Sequence, residues 1–230
     1  MSVQQDLLSF ASPSKAKASQ WFFKTGIGQY GEGDMFIGVT LPEQRSVAKK
    51  YKDLPLSDIG VLLASPIHEY RLTGLIILVE AAKKADEKKK KSIYDFYLSH
   101  TEKINNWDLV DCTASHIVGE YLVDKPEKRS VLRKLAASKC LWERRISIIS
   151  TFAFIAKDDF QESFALSEIL LHDPHDLIHK AVGWVLREIG KLDQEAEEKF
   201  LQKHYKTMPR TMLRYAIERF PQAKRAYYMG

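Results

Sequence analysis

The sequence has few of the residues that form disulfides, tight turns or membrane spans. Its 230 residues include two cysteines, 11 glycines and 8 prolines. Cys112 and Cys140 lie in helical patterns without the short spacing of a metal or redox motif, which indicates reduced thiols. No apolar run approaches the ~18 residues that a membrane-spanning helix needs, and the N-terminus lacks the basic and apolar regions of a secretory signal. These absences predict a cytoplasmic protein with no membrane association.

The motifs of common enzyme classes are also missing. Neither a phosphate-binding loop of the form G-x-x-x-x-G-K-[ST] nor a G-x-S-x-G elbow occurs, which excludes the commonest nucleotide hydrolases and serine hydrolases. His172, His175 and His179 come closest to a metal cluster, but Pro174 separates the first two and no acidic or cysteine ligand pattern accompanies them. We therefore predict no metal and no cofactor.

The composition favours a well-packed helical chain and is compatible with an anionic partner. Hydrophobic residues make up 45% of the sequence, and the formal net charge is +5. A basic surplus of this size suits a nucleic acid or an acidic protein, although lysines on solvated helices are an equally ordinary source of it.

Helical periodicity dominates the chain and predicts an all-α fold of about a dozen helices without a convincing strand. Ser12 and Pro13 begin one helix, and Pro42 lies in the first turn of another. Between them, residues 26–40 are rich in glycine and show no helical period, so we predict a loop. Long loops in compact domains are often functional.

A basic residue recurs early in apolar helices at spacings of roughly 34 to 37 residues. The repeat positions are Arg71, Arg145, Lys180 and Arg214, with Asp108 where one further copy falls. A period of this length is typical of an α-solenoid of HEAT-like repeats. We therefore predict a single HEAT-like domain over 1–230, whose curvature places these helix starts and Trp107 on one concave basic face.

The segment from Asn105 onward is an unusual helix. Asn105 and Asn106 are good N-cap residues for a helical run to about Val123, in which Trp107 and Asp111 lie along the edge of the apolar stripe. A carboxylate at such a margin loses hydration, so it indicates either a structural ion pair or a role in a cleft.

Two further residues depart from their helical pattern. Trp184 points away from the stripe of its helix, with Lys180 and Arg187 on the same face, which suits contact with phosphates and sugars or packing against the next repeat. Arg145 lies inside an apolar stripe and needs an anion, either a structural carboxylate such as Asp108 or a bound phosphate.

Three separated motifs together resemble one family. Residues 106–111, 141–145 and 179–188 resemble the AlkD-like DNA alkylation repair glycosylases, and residues 36–45 resemble the N-terminal signature of that family. The resemblance covers nearly the whole chain. It departs from the family pattern at Asn106, where family members often carry a second tryptophan.

The resemblance implies a monofunctional enzyme that binds double-stranded DNA and releases alkylated purines such as 3-methyladenine and 7-methylguanine, leaving an abasic site. The catalytic carboxylate of the family matches Asp111, its flanking aromatics match Trp107 and Trp184, and its phosphate-binding arginine matches Arg145. We also predict a monomer. Our candidate for the N-terminal aromatic that approaches the lesion is Tyr30, and our candidate DNA contacts are Lys180, Arg187, Arg71 and Arg214.

The alternative hypothesis is a non-catalytic HEAT-repeat scaffold that binds DNA or an acidic protein. The two hypotheses differ at Asp111, which has a chemical role only in the enzyme.

Overall fold

The computed structural model describes residues 2–230 and confirms the all-α prediction. Over this range no strand forms, and one isolated bridge pairs Met35 with Ile67. None of the helices in the same range is both long and apolar enough to cross a lipid bilayer. The chain divides into two compact units, the first ending at Ile117 and the second comprising Val118–Gly230.

In its described part, residues 2–117, the first unit contains seven α-helices and a 3-10 turn at Thr101–Lys103. The helices are α1 (Val3–Leu8), α2 (Pro13–Phe22), α3 (Leu41–Lys50), α4 (Leu56–Leu63), α5 (His68–Lys83), α6 (Glu87–Ser99) and α7 (Trp107–Asp111). Helix α5 is central, since it packs on α3, α4 and α6 and is buried on nearly every side. A helix that is enclosed in this way carries its polar residues into the interior, where each needs a partner.

The second unit contains the remaining helices and a 3-10 turn at Ile217–Arg219. The helices are α8 (Glu120–Leu122), α9 (Lys128–Ala136), α10 (Leu141–Ile149), α11 (Phe152–Ile155), α12 (Gln161–Ile169), α13 (Asp176–Leu192), α14 (Gln194–His204), α15 (Arg210–Ala216) and α16 (Gln222–Met229).

Helix α13 forms the core of the second unit, as its apolar stripe predicts. The stripe residues are all buried, namely Ile178, Ala181, Val182, Val185, Leu186 and Ile189. Gly183 lies where α13 meets α15, and a side chain at this position would overlap the backbone of Met212 and the side chain of Tyr215. The absence of a side chain at Gly183 therefore permits the close approach of the two helices.

The helix starts that the sequence predicts are confirmed at two places. Ser12 is the N-cap of α2, and Thr40 is the N-cap of α3, where the Glu43 carboxylate accepts hydrogen bonds from the Thr40 backbone and hydroxyl at 2.6 and 2.7 Å. The repeat positions also fall early in helices, since Arg71, Arg145, Lys180 and Arg214 lie within the first five residues of α5, α10, α13 and α15. Their placement on one wall stays a prediction.

Residues 26–40 form an irregular loop, as predicted, and a buried carboxylate on α5 holds its second half. Glu69 is 2% exposed, and its oxygens accept hydrogen bonds from the successive amides of Ile37, Gly38 and Val39 at 2.7 to 3.3 Å. Gly38 has a φ of 79°, a conformation that side chains disfavour. The loop is thus fixed to α5 where it approaches α3.

The helical run after Asn106 is interrupted, which corrects the expectation of one helix as far as Val123. Helix α7 ends at Asp111, and a π-helical turn follows at Ser115–Gly119. Between them the Thr113 hydroxyl donates to the carbonyl of Leu109 at 2.5 Å, and the Thr113 amide bonds the carbonyl of Val110. These local hydrogen bonds compete with the helical pattern and end the helix early.

Candidate active site

Trp107 and Asp111 occupy the two ends of α7. Asn106 begins the helix as its N-cap, since its side-chain oxygen accepts from the amide of Trp107 at 2.8 Å. Both Trp107 and Asp111 are half-buried, as their place at the edge of the stripe predicts, while Asp108 between them is buried. The short helix therefore presents an indole and a carboxylate one turn apart, each with part of its surface accessible.

Three aromatic residues from the N-terminal part of the chain hold the Trp107 ring. Phe23 stacks on it with ring centroids 5.3 Å apart, and Phe22 meets it edge-on at 5.8 Å. The indole Nε1–H donates to the hydroxyl of Tyr30 at 3.3 Å. The structure thus brings Tyr30 to Trp107, and its contact with DNA stays a prediction.

Phe22 is a candidate that the sequence reasoning missed. Its side chain is 55% exposed although it touches Trp107, so it extends the aromatic surface outward. The signal was present in three consecutive aromatics, residues 21–23, at the end of a polar helix. A helix cannot bury three successive side chains on one face, so at least one of them has to remain exposed or meet another element.

A buried ionic network lies at the first turn of α7. The ring of His68 bonds Asp34 Oδ2 through Nδ1 at 3.0 Å and Asp108 Oδ2 through Nε2 at 2.8 Å. Asp34, His68 and Asp108 are 7%, 1% and 9% exposed. Asn106 donates from its side chain to Asp34 Oδ2 at 3.2 Å, so two residues at the start of α7 bind into this network.

Arg71, which the sequence predicts as a DNA contact, completes this buried network. The side chain is buried, and it donates to Asp34 Oδ1 at 2.6 Å and to the Ser65 carbonyl at 3.1 Å. A guanidinium that is enclosed and bound in this way neutralises a buried carboxylate. Arg71 lies in the first turn of α5, where the helix is enclosed on all sides, so its side chain points into the interior of the unit.

The network shifts the protonation of its members. Burial by itself lowers the pKa of His68, but the charge and hydrogen bond of Asp108 and those of Asp34 outweigh it and raise this pKa to about 9. Burial opposes ionisation of Asp34, yet the hydrogen bond from His68 and the charge of Arg71 hold its pKa below the usual value. With His68 protonated, two anions, Asp34 and Asp108, balance two cations, His68 and Arg71.

Cys112 follows α7 directly, and its surroundings disfavour the thiolate. Burial, reinforced by the charges of Asp108 and Asp111, raises the pKa of its thiol to about 11. A thiol with this pKa remains protonated near neutral pH and is a poor nucleophile.

In the second unit, Trp184 is half-buried on α13. Its ring lies 4.7 Å from that of Phe152 in a tilted arrangement, and its Nε1–H donates to Glu188 at 3.1 Å. Of the predicted flanking cations, Lys180 pairs with Asp176 at 2.7 Å, and Arg187 bonds Glu218. Trp184 thus packs against one neighbour and keeps part of its surface accessible.

Arg145 is buried on α10, as its place in an apolar stripe predicts. Its exposed fraction is 4%, and one guanidinium nitrogen donates to the backbone carbonyl of Leu177 on α13. This bond links α10 to the first turn of α13, which favours an internal role for the side chain. Arg214 on α15, by contrast, is exposed.

His175 and His179 stabilise the start of α13. His175 is its N-cap and accepts from the Leu177 amide at 3.1 Å, while His179 bonds the carbonyl of Asp173 at 2.5 Å. Across residues 2–230, no group of three His, Cys, Asp or Glu residues is placed to hold a metal ion.

Comparison with known proteins decides the family. Residues 3–220 match the DNA alkylation repair enzyme family. The chain belongs to this family. Membership in the DNA alkylation repair enzymes gives the chain a role in DNA repair and makes DNA its partner.

A solved structure has the same fold. It is titled "Predicted DNA alkylation repair enzyme from Enterococcus faecalis", and it superposes with a TM-score of 0.73 over 92% of this chain and 97% of that chain. The two sequences are 15% identical, so the likeness concerns the fold. No curated protein matches the sequence significantly.

The structure explains why this DNA alkylation repair enzyme carries Asn106 beside Trp107. Asn106 is fully buried, caps α7 through its oxygen and binds Asp34 through its nitrogen. A tryptophan has one N–H donor and no acceptor oxygen, so it could not accept the hydrogen bond that caps α7. The position therefore serves to anchor α7, and the accessible aromatic surface comes from the half-buried Trp107 and the exposed Phe22 instead.

Proposed function

We propose that the protein is a monofunctional alkylpurine DNA glycosylase. It hydrolyses the N-glycosidic bond of purines such as 3-methyladenine and 7-methylguanine in duplex DNA and leaves an abasic site. The observation that carries this proposal is the pairing on α7 of a half-buried carboxylate, Asp111, with a half-buried indole, Trp107, whose ring is held on three sides. Family membership supports the choice of DNA as substrate.

The chemistry requires little more than this pair. A purine alkylated at N3 or N7 is already cationic and leaves readily, so the reaction needs no general acid. Positive charge develops on the deoxyribose as the bond breaks, and the Asp111 carboxylate stabilises that charge and orients the attacking water. Trp107 offers its π-face to the same cation, an interaction worth on the order of 1 kcal/mol.

A ring and a carboxylate that are held in fixed positions can stabilise a positive charge that forms only in the transition state. Groups that are already oriented need no reorganisation when the charge appears, so their stabilisation lowers the barrier rather than merely tightening substrate binding. The stacking of Phe23 and the hydrogen bond to Tyr30 hold Trp107 in one orientation before DNA arrives.

The second unit supplies further proposed contacts to DNA. Trp184 retains accessible surface for a sugar or base, and the half-buried Lys180 and exposed Arg214 are suited to phosphates. Arg187 bonds Glu218, so a phosphate has to compete with that carboxylate for it.

The test is to incubate the purified protein with methylated duplex DNA and to measure free methylpurine and alkali-labile sites. We expect release above a protein-free control, and much less from Asp111→Asn. Asp53→Asn, which alters an exposed carboxylate of the same unit, is the matched control and should act as wild type. Binding of the DNA without any release would refute the glycosylase and support the scaffold.

A further inference from the structure

Helix α7 is too short to maintain its own position. It contains five residues, and isolated helices of fewer than roughly 12 residues are marginal in water because nucleation costs more than a few hydrogen bonds return. Tertiary contacts therefore have to fix both the helix and the orientation of Trp107 and Asp111. The polar contacts at its start lead into the buried network through Asn106 and Asp108.

His68 connects that network to the ring of Trp107. Its imidazole stacks on Phe36 with centroids 4.7 Å apart and lies 4.9 Å from Phe23, which in turn stacks on Trp107. The same imidazole bonds Asp108 in the first turn of α7 and Asp34 in the glycine-rich loop. One side chain on α5 thus contacts the loop, the short helix and the aromatic stack.

We propose that His68, in its doubly protonated form, is a positioning residue that fixes α7 against α5 and the glycine-rich loop and thereby orients Trp107 and Asp111. The proposal rests on the glycosylase function proposed above only in predicting that His68 affects the rate of base excision. Its structural part concerns the protein without DNA.

The charges around His68 require the imidazolium. Asp34 faces it from the loop and Asp108 from α7, whereas Arg71 on α5 donates to Asp34. Glu69, the neighbour of His68 on α5, is occupied with loop amides, and Asp111 lies one turn beyond Asp108. A neutral imidazole has one N–H and could donate to only one of the two carboxylates, which would leave the other without a hydrogen from His68.

The first test is nuclear magnetic resonance of the free protein with ¹⁵N-labelled histidine and tryptophan. We expect both ring nitrogens of His68 to carry protons at pH 7 and the imidazolium to lose one only well above the ordinary pKa of histidine near 6.5. The indole N–H signal of Trp107 should move with the same midpoint, while that of Trp184 should not. A His68 that is neutral at pH 7 would overturn the proposal.

The second test uses variants. Asp108→Asn should lower the His68 midpoint, because it removes the charge that contributes most to holding the proton. His68→Gln should displace the Trp107 indole signal and reduce the single-turnover excision rate on the order of 10- to 100-fold, since misplacement of about 1 Å costs that much. Affinity for undamaged duplex should be unchanged, and His116→Gln should alter nothing.

The outcomes separate the two proposals. If the wild-type protein releases no methylpurine, the glycosylase fails, but the titration and the Trp107 signal still test the positioning role. If His68→Gln does not fold, Asp108→Asn alone decides through the His68 midpoint. Two results would show that His68 does not position α7. One is a His68 titration midpoint that is unchanged in Asp108→Asn. The other is a His68→Gln protein that keeps the wild-type excision rate and the wild-type Trp107 indole signal.

Discussion

The indole nitrogen of Trp107 donates a hydrogen bond to the hydroxyl of Tyr30 over 3.3 Å, joining residues that are 77 positions apart. The bond fixes the edge of the indole, and stacking on Phe23 fixes its plane. A ring restrained in both ways loses little further freedom when a substrate binds, so its contact with a sugar carries a small entropic cost.

Asp111→Asn should retain DNA binding and lower excision by roughly 10²-fold or more, because the lost charge acts mainly in the transition state. Single-turnover kinetics on a duplex with one 7-methylguanine measures the rate, and fluorescence anisotropy measures the affinity. A variant with the wild-type rate would remove Asp111 from the mechanism.

Trp184→Ala should weaken binding to alkylated DNA by about 1 to 3 kcal/mol, since the ring is proposed to face the nucleic acid. Part of the ring also packs on Phe152, so thermal stability should fall modestly. Trp184→Phe is the control that keeps an aromatic face and should recover most of the affinity. Normal affinity with a lowered melting temperature would show that the ring only packs.

Arg145→Ala should lower the free energy of unfolding by about 1 to 3 kcal/mol, because it removes a buried guanidinium and its hydrogen bond to the carbonyl of Leu177. The slope of log affinity against log salt should stay as in wild type. Lys180→Ala is the contrasting variant, expected to make that slope shallower by about 0.9 with little effect on folding. If Arg145→Ala itself reduces the slope by that amount, the side chain binds phosphate.

Glu197→Gln should stabilise the protein at pH 8 but not at pH 4.5. Glu197 on α14 is 1% exposed, and burial, assisted by the charge of Glu198, raises its pKa to about 8. Because the folded state holds this proton while the unfolded state releases it near pH 4.5, wild-type stability declines as pH rises from about 4.5 to about 8. The glutamine should recover roughly 2 to 4 kcal/mol at pH 8. Chemical denaturation at both pH values measures the free energy of unfolding of the two proteins. An equal increase at pH 4.5 and at pH 8 would contradict the raised pKa of Glu197.

The stability of the Glu197→Gln protein, which lacks the decline caused by Glu197, should still fall between about pH 6.5 and about pH 9 because of His68. The folded pKa of His68 is raised to about 9, so its contribution is complete below the unfolded value near 6.5 and is lost as pH rises through 9. The loss should be on the order of 3 kcal/mol, since one pKa unit corresponds to about 1.4 kcal/mol. Adding Asp108→Asn should flatten this decline. A profile that is level over the window without that addition would mean that His68 is not protonated in the folded state.

The sequence predicted those features that depend on local pattern. Helical periodicity identified the buried stripe of α13, and N-cap residues and early prolines identified the approximate starts of α2, α3 and α7. The same periodicity placed Trp107 and Asp111 at the margin of a buried face. Each of these inferences uses residues within one or two turns of each other.

The network around His68 escaped prediction because its members are distant in the sequence. Asp34 and Asp108 reach His68 from 34 and 40 positions away. Periodicity marked Arg71 as an early basic residue but could not distinguish a buried cation from an exposed one, since that depends on what surrounds α5. Phe22 was missed for a similar reason, because its contact with Trp107 depends on the path of the intervening loop.

The carboxylate of Glu69 divides the glycine-rich loop into two parts that should exchange their amide hydrogens at very different rates. The amides of residues 37–39 are bonded to a buried side chain of α5, so their hydrogens should be released only when that helix opens. The amides of Ile27 and Tyr30 lie in an exposed or half-exposed stretch and should exchange early. Mass spectrometry of deuterated peptides would therefore detect a boundary between slow and fast amide exchange within the loop. No regular secondary structure lies on either side of that boundary inside residues 26–40.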